Sequence, residues 1–289
     1  MLSPTRHARR TMPALPSRWR RRTAAAACAA LLCLAAAARA APEGGTVVAG
    51  EGSIHREGNT TEVRQRSRDL VIDWARFNVA PDERVHFDQP GREASVLNRI
   101  HDTRPSEIWG RLEAAGRVWL LNPNGVYFGR SARVAVGSLV AAGMWMDVED
   151  FMGGRYVLYT AAGQEPPGTV VNAGVLQAAV GGIGLAGAGV RNQGSIRAQA
   201  SRVQLAAGSR VTVDFDGDGL LRFAVAQPLL AAAPGWRAAL ENGGSIEADG
   251  GEVALQARVA SGVFDQVINH TGVLRAARLH NHGGVIRLE

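Results

Sequence analysis

The chain has 289 residues, enough for one large domain or two small ones, and a formal net charge of +6. All 32 basic residues are arginine, and eight of them precede Ala41 where no acid does, leaving 24 arginines against 26 acids in the rest. That balance excludes a basic nucleic-acid binder.

Residues 1–40 read as a secretion leader. Arg18 to Arg22 form a positive segment, Ala24 to Ala38 an apolar one, and Ala38-Arg39-Ala40 a small-x-small cleavage site. The cut is predicted between Ala40 and Ala41. As a membrane anchor, the apolar run is too short and too rich in alanine. Arg21-Arg22 lacks the hydrophobic pattern of twin-arginine export. Bulky Leu32 before Cys33 argues against lipid attachment. Both cysteines, Cys28 and Cys33, lie in the leader, so residues 41–289 cannot form disulfides and must be stabilised by a large core. A chain without closed loops also suits passage through a membrane as an extended thread.

Thr46 to Ile54, Thr61 to Ser67 and Leu70 to Trp74 read as strands. They are predicted to cap the end of a larger stack, because a bare first layer would be an open edge. The lid is placed at about 46–75. Phe77 to Val79 and Val85 to Phe87 flank the turn signal Ala80-Pro81-Asp82-Glu83. Then come Val96-Leu97-Asn98-Arg99-Ile100, Glu107-Ile108-Trp109-Gly110 and Val118-Trp119-Leu120-Leu121. Glu113-Ala114-Ala115 is the one place here with the composition of a helical turn.

Asn122-Pro123-Asn124-Gly125 separates two apolar runs, Val118–Leu121 and Val126–Phe128. Proline fixes φ for the second turn position, and asparagine and glycine tolerate the φ values that the rest of a tight turn requires. The pattern is strand, sharp corner, strand.

From Gly168 onward the chain repeats. Asn172-Ala173-Gly174, Asn192-Gln193-Gly194, Asn242-Gly243-Gly244 and Asn269-His270-Thr271-Gly272 each precede an apolar residue, a polar residue and alanine. Asn172 to Asn192 sets a period of about 20, within the solenoid range. Leu185, Leu205 and Leu255 recur in a second phase. This period suits coils of a right-handed parallel β-helix filling 76–289, whose asparagines would bond from coil to coil to backbone groups. A propeller or a sandwich fits the period less well. Arg210 to Asp214 and Leu220 to Val225 interrupt the repeat as a projecting hairpin at about 210–225. Leu229 to Leu240 is read as a loop with a helical turn.

The corner, with Leu97-Asn98-Arg99-Ile100, Pro105 to Gly110 and Gly137-Ser138-Leu139-Val140-Ala141, resembles the N-terminal domain of two-partner secretion exoproteins of the filamentous-haemagglutinin and high-molecular-weight adhesin type. The resemblance is closest over 47–160. It implies an all-β parallel β-helix with an N-terminal cap, exported through the general secretion machinery. It further implies capture by an outer-membrane β-barrel transporter with periplasmic chain-binding domains, and folding at the surface of a Gram-negative cell. It marks Leu97, Asn98, Arg99, Ile100, Gly110, Phe128 and Gly129 as structural motif positions, and Asn122, Pro123, Asn124 and Gly125 as the secretion-motif turn. The turn's side chains are read as structural, with export failing indirectly when the corner is lost; direct contact of this loop with the transporter is the second reading.

Rival chemistries are weaker. Asp214, Asp216, Asp218 and Gly219 resemble the opening of a calcium loop, but Val225 stands where the closing glutamate belongs. His280 and His282 lack a third ligand. No nucleophile context is present and the carboxylates are scattered, so catalysis, a cofactor and a metal are not predicted. A stand-alone adhesin or carbohydrate-binding module, with a host receptor or glycan as partner, is the alternative. A polysaccharide-cleaving enzyme is third.

Overall fold

The structure, a computed structural model, describes residues 41–215, 219–276 and 285–288. The leader, Ala40, Asp216, Asp218, His280 and His282 lie outside the described residues. The chain starts with a lid of β1 (Thr46–Ala49) and β2 (Gly52–Glu57), then winds into coils. The first coil holds β3 (Thr60–Gln65) and β4 (Asp69–Trp74). The second holds β5 (Arg84–Asp88), β6 (Ser95–Ile100) and β7 (Ser106–Ile108), and the third β8 (Arg111–Ala114), β9 (Arg117–Leu121) and β10 (Val126–Phe128). The fourth begins with the long strand β11 (Arg133–Ala142), leaves the column through α1 (Val148–Met152) and β12 (Tyr156–Tyr159), and returns as β13 (Val170–Asn172). The fifth is β14 (Val175–Gly187) and β15 (Val190–Asn192). The sixth holds β16 (Ser195–Ala198) and β17 (Arg202–Ala207), departs through β18 (Arg210–Phe215) and β19 (Leu221–Gln227), and closes with β20 (Ala238–Asn242). The chain continues through β21 (Ser245–Glu247), β22 (Glu252–Ala257), β23 (Gln266–His270), β24 (Val273–Arg275) and β25 (Val285–Leu288).

Successive coils pair in parallel, giving a parallel β-helix with three faces. The first face stacks β3, β5, β8, the start of β11, the start of β14, β16, β21 and β24. The second stacks β4, β6, β9, the ends of β11 and β14, β17, β22 and β25. The third stacks β7, β10, β13, β15, β20 and β23. The lid is narrower than the sequence suggests. Only β1 and β2 run antiparallel, onto β4 and β3, while β3 and β4 already pair in parallel with the coil above. The segment Glu113–Ala115 is not helical. It ends β8, held between β5 and β11, and this pairing overrides the local preference of glutamate and alanine. Among the described residues, 229–237 carries no helix either.

The interior is one apolar column. Leu70, Ile72 and Trp74 lie under Val96 and Ile100, then Val118 and Leu120, Leu139 and Ala141, Ile183 and Leu185, Val203 and Leu205. Each fully buried Val, Leu or Ile contributes about 1.5–3 kcal/mol before ordering costs. Leu185, Leu205 and Leu255 stand in register, as their spacing predicts.

On the third face, Asn172, Asn192 and Asn242 are buried and stacked. Their amides bond to backbone, Gly174 N donating to Asn172 Oδ1 at 3.0 Å and Asn192 Nδ2 to Ser245 O at 3.2 Å, and also to one another. Asn172 Nδ2 donates to Asn192 Oδ1 (2.8 Å), Asn192 Nδ2 to Asn242 Oδ1 (2.7 Å), and Asn242 Nδ2 meets His270 Nδ1 at 3.1 Å. Beside this ladder the glycines stack without room for side chains. A Cβ on Gly194 would lie 2.1 Å from the Gly174 carbonyl oxygen.

A second core covers the outside of the second face. Val71, Leu97, Trp119, Leu121 and Val140 point outward, beneath Phe151 of α1, Leu158 of β12 and Val211, Val213 and Phe223 of the hairpin. The hairpin is therefore part of a three-stranded sheet, with β12 antiparallel to β18 and β18 to β19. Gly184 makes room for it: a Cβ there would lie 2.3 Å from the Phe223 ring.

Candidate functional site

The corner Asn122–Gly125 sits between β9 and β10 and is tied to the coils on both sides. Within it, Gly125 N donates to Asn122 O (2.8 Å), closing a turn with Pro123 second and Asn124 third. Asn124 N donates to Asn122 Oδ1 at 2.9 Å. Gly125 has φ +109, which a side chain resists, and a Cβ there would lie 2.7 Å from Thr169 O.

Below the corner lies the loop that precedes and starts β7. Asn122, fully buried, donates from Nδ2 to Arg104 O and to Ser106 Oγ, both at 3.0 Å. Asn124 Nδ2 donates to Asp102 O at 2.8 Å. Above lies the segment that leads into β13. Val126 N donates to Thr169 O at 2.9 Å, Gln164 Nε2 reaches Asn124 Oδ1 at 3.3 Å, and a Cβ on Gly168 would lie 2.4 Å from Gly125 N. The arrangement is a clamp. Two amides and a glycine fix the height of a coil against both neighbours, and neither amide presents a free reactive group.

Leu97, Asn98, Arg99 and Ile100 form the end of β6. Leu97 joins the outer core and Ile100 the inner one. Asn98 is buried inside, where Oδ1 accepts from Trp74 Nε1 (2.9 Å) and Nδ2 donates to Trp119 O (3.0 Å). One side chain thus joins three coils. Arg99 grips Asp73 with two bonds of 2.7 Å and lies 5.0 Å over the Trp145 ring. Gly110 packs against backbone, since a Cβ would lie 2.2 Å from Ala80 O. Phe128 fills the interior above Ile108, and Gly129 lies against the Trp109 ring. Ala41 is buried at the start of the described chain. These positions do not converge on one pocket. The corner joins β9 to β10, whereas β6 and the Gly110 turn stabilise the coil below.

Sequence reasoning missed Asp102, Arg104, Gln164 and Thr169 as the corner's partners, and gave Ser106 and Gly168 no part in it. All lie in loops or at strand starts, Gln164 as far as 40 residues from Asn124, and no local pattern ties them to the corner. It also missed a polar contact in the departing segment. The Tyr159 hydroxyl donates to Asp147 Oδ1 at 2.8 Å, and burial first, then this bond, push its pKa up to about 12. Burial likewise pushes the Asp69 carboxyl up, against the pull of Arg68 and Arg117. Among the described residues, no group of three or more His, Cys, Asp or Glu side chains is placed to hold a metal ion. No helix among them is long and apolar enough to cross a membrane.

Comparison with known proteins agrees with this fold. The family model described as TPS secretion domain matches residues 38–289. A heme/hemopexin-binding protein of Haemophilus influenzae is 36% identical over 100 residues, which are 35% of this chain and 11% of that protein. The chain thus matches only about a tenth of the length of that relative. The crystal structure of the HMW1 secretion domain from Haemophilus influenzae superposes with a TM-score of 0.74 at 26% identity, covering 86% of this chain and 62% of that one. The filamentous hemagglutinin secretion domain, at 15% identity and a TM-score of 0.53, covers 86% of this chain and 100% of that one and shares the fold. Secretion domains of this kind are parallel β-helices, as this chain is.

Proposed function

Because the chain belongs to the TPS secretion domain family, we propose that its work is to be recognised and exported, as the targeting domain of a two-partner secretion exoprotein. Residues 1–40 direct the chain across the inner membrane and are cut away between Ala40 and Ala41. A cognate outer-membrane β-barrel transporter then captures the unfolded chain through its periplasmic domains. An amphipathic strand of the chain adding to a sheet edge of the transporter would suffice for capture. Folding outside the cell gives the passage its direction, and the lid and first coils are the natural starting point.

The observation that carries this reading is the corner. Asn122 and Asn124 direct their side-chain hydrogen bonds to neighbouring coils or to their own turn. Their role is to hold the third coil at a fixed height while later coils stack on it. The absence of cysteine from residues 41–289 supports passage as a thread.

The test is export with and without the transporter. With the barrel gene present, the protein accumulates in the medium; without it, the protein stays in the periplasm. Equal release in both strains would refute the assignment. Asn122→Ala and Asn124→Ala separate a folding role of the corner from direct recognition. If the corner acts through folding, export falls in step with the stability of the purified variant. A variant that folds normally yet is not exported would mean that the transporter reads the corner directly.

A further inference from the structure

The corners that join the first face to the second differ in length from coil to coil, and the difference cuts a cleft. Between β5 and β6 the corner spans 89–94. It shrinks to 115–116 between β8 and β9, and to Gly137 alone inside β11. In β14 it lengthens to 179–181, and the corners above it, 199–201 and 248–251, are long too. Short corners therefore lie between long ones, leaving a cleft of about 650 Å3, a size common among small-ligand sites. Ala115, Ala135 and Gly137 form its floor. Arg92 stands on one wall, and Gln177, Arg197 and Gln199 on the other.

The cleft is built in advance of any ligand. Gln89 Oε1 accepts from Gly116 N at 2.7 Å, and Glu93 pairs at 2.8 Å with the nearly buried Arg117, so the Arg92 wall is pinned to the floor. The floor strands β8 and β11 are paired on both edges, which leaves no backbone for an added peptide strand. Recognition falls to side chains. The glutamines offer paired donors and acceptors suited to hydroxyl groups. Among the described residues, Arg92 of the cleft wall makes no ion pair. The acids at the far end are occupied: Glu247 pairs with Arg197 at 3.4 Å and Asp249 with Arg275 at 3.2 Å.

From these features we infer that the cleft binds a short linear acidic oligosaccharide, with hydroxyls on the glutamines and a carboxylate on Arg92. This is independent of the export role. The test is calorimetric titration of the secreted chain with trigalacturonate, and with maltotriose as its neutral counterpart. Trigalacturonate should bind, more weakly as salt rises, and maltotriose at least tenfold less well. Ala135→Trp fills the exposed floor and should reduce binding at least tenfold, and Arg92→Glu should do the same from the wall. Both variants should still be exported. No binding of trigalacturonate, or equal binding of maltotriose, would overturn the inference. So would unchanged affinity in Arg92→Glu, whose exposed loop position leaves folding intact should Ala135→Trp fail to fold.

Discussion

Below the fourth coil, and from it upward, the same position on the third face is filled in two ways. Ile108 and Phe128 stand in register with Asn172, Asn192, Asn242 and His270. In the lower coils the position is apolar and works by shape. In the upper coils it is an amide, followed by the His270 imidazole, that works by complementarity with the coils on either side. The lower half can use large rings such as Trp74, Phe77, Phe87 and Phe128 because its coils differ from one another. The upper half repeats nearly the same coil, so small side chains suffice for packing. Packing alone would then allow neighbouring coils to slip. A chain of amide bonds permits one register, since a slip of one residue would turn each asparagine to the outside. The two halves thus solve the same problem with volume and with hydrogen bonds.

The contrast is sharpest if both halves receive the same residue at this position. Asn192→Leu removes an acceptor from Asn172 and a donor from Asn242, leaving two buried polar atoms without partners. At roughly 1–3 kcal/mol for each, the loss should be about 4 kcal/mol. Phe128→Leu keeps an apolar group of nearly the same size and should cost only about 1.5 kcal/mol. Urea unfolding of the two variants measures both, and equal losses would dissolve the distinction. Between these extremes falls Asn122→Ala in the corner. It deprives Arg104 O, Ser106 Oγ and Asn124 N of a partner, but the loops around it can admit water, so about 2.5 kcal/mol is expected from the same measurement.

The upper half was the more legible in the sequence, for the same reason. A repeated coil repeats its residues, so Asn172, Asn192 and Asn242 and the leucines Leu185, Leu205 and Leu255 announce their register at a distance. The corner was legible because proline and glycine mark turns in any context. The lower coils carry no translational pattern, and there only the family resemblance pointed to the fold. Least legible was the second core. The run Val118 to Leu121 reads as a buried strand because both of its faces are covered. What covers the outer face is α1, β12 and the hairpin, drawn from two segments that carry no signal of their destination. The hairpin itself was foreseen, but not its third strand. That the asparagines would bond to each other required the coil spacing, which composition does not reveal. The cleft on the first face depends on differences between corner lengths, which have meaning only once the register is known.

The smallest expected effect lies at the junction of the two halves, where the chain leaves the fourth coil and returns. Trp145 and Tyr159 exchange backbone bonds of 2.8 and 3.0 Å there, and the Tyr159 hydroxyl closes the segment on Asp147. The folded pKa, pushed up to about 12 from 10.0, means that the folded state holds the phenolic proton more tightly than the unfolded chain. The resulting stabilisation is complete below the unfolded value and is lost as pH rises through the folded one. The ring is partly exposed, so solvent screening should reduce the effect to about 1 kcal/mol or less. In the native chain, stability should therefore decline between about pH 10 and about pH 12 by slightly more than in Tyr159→Phe. If the junction serves only as a passive link, the variant should be destabilised little at neutral pH and should differ from the parent chiefly in this alkaline slope. A large loss at neutral pH would instead make the departing segment a structural partner of both halves, and the division at the fourth coil would have to be redrawn.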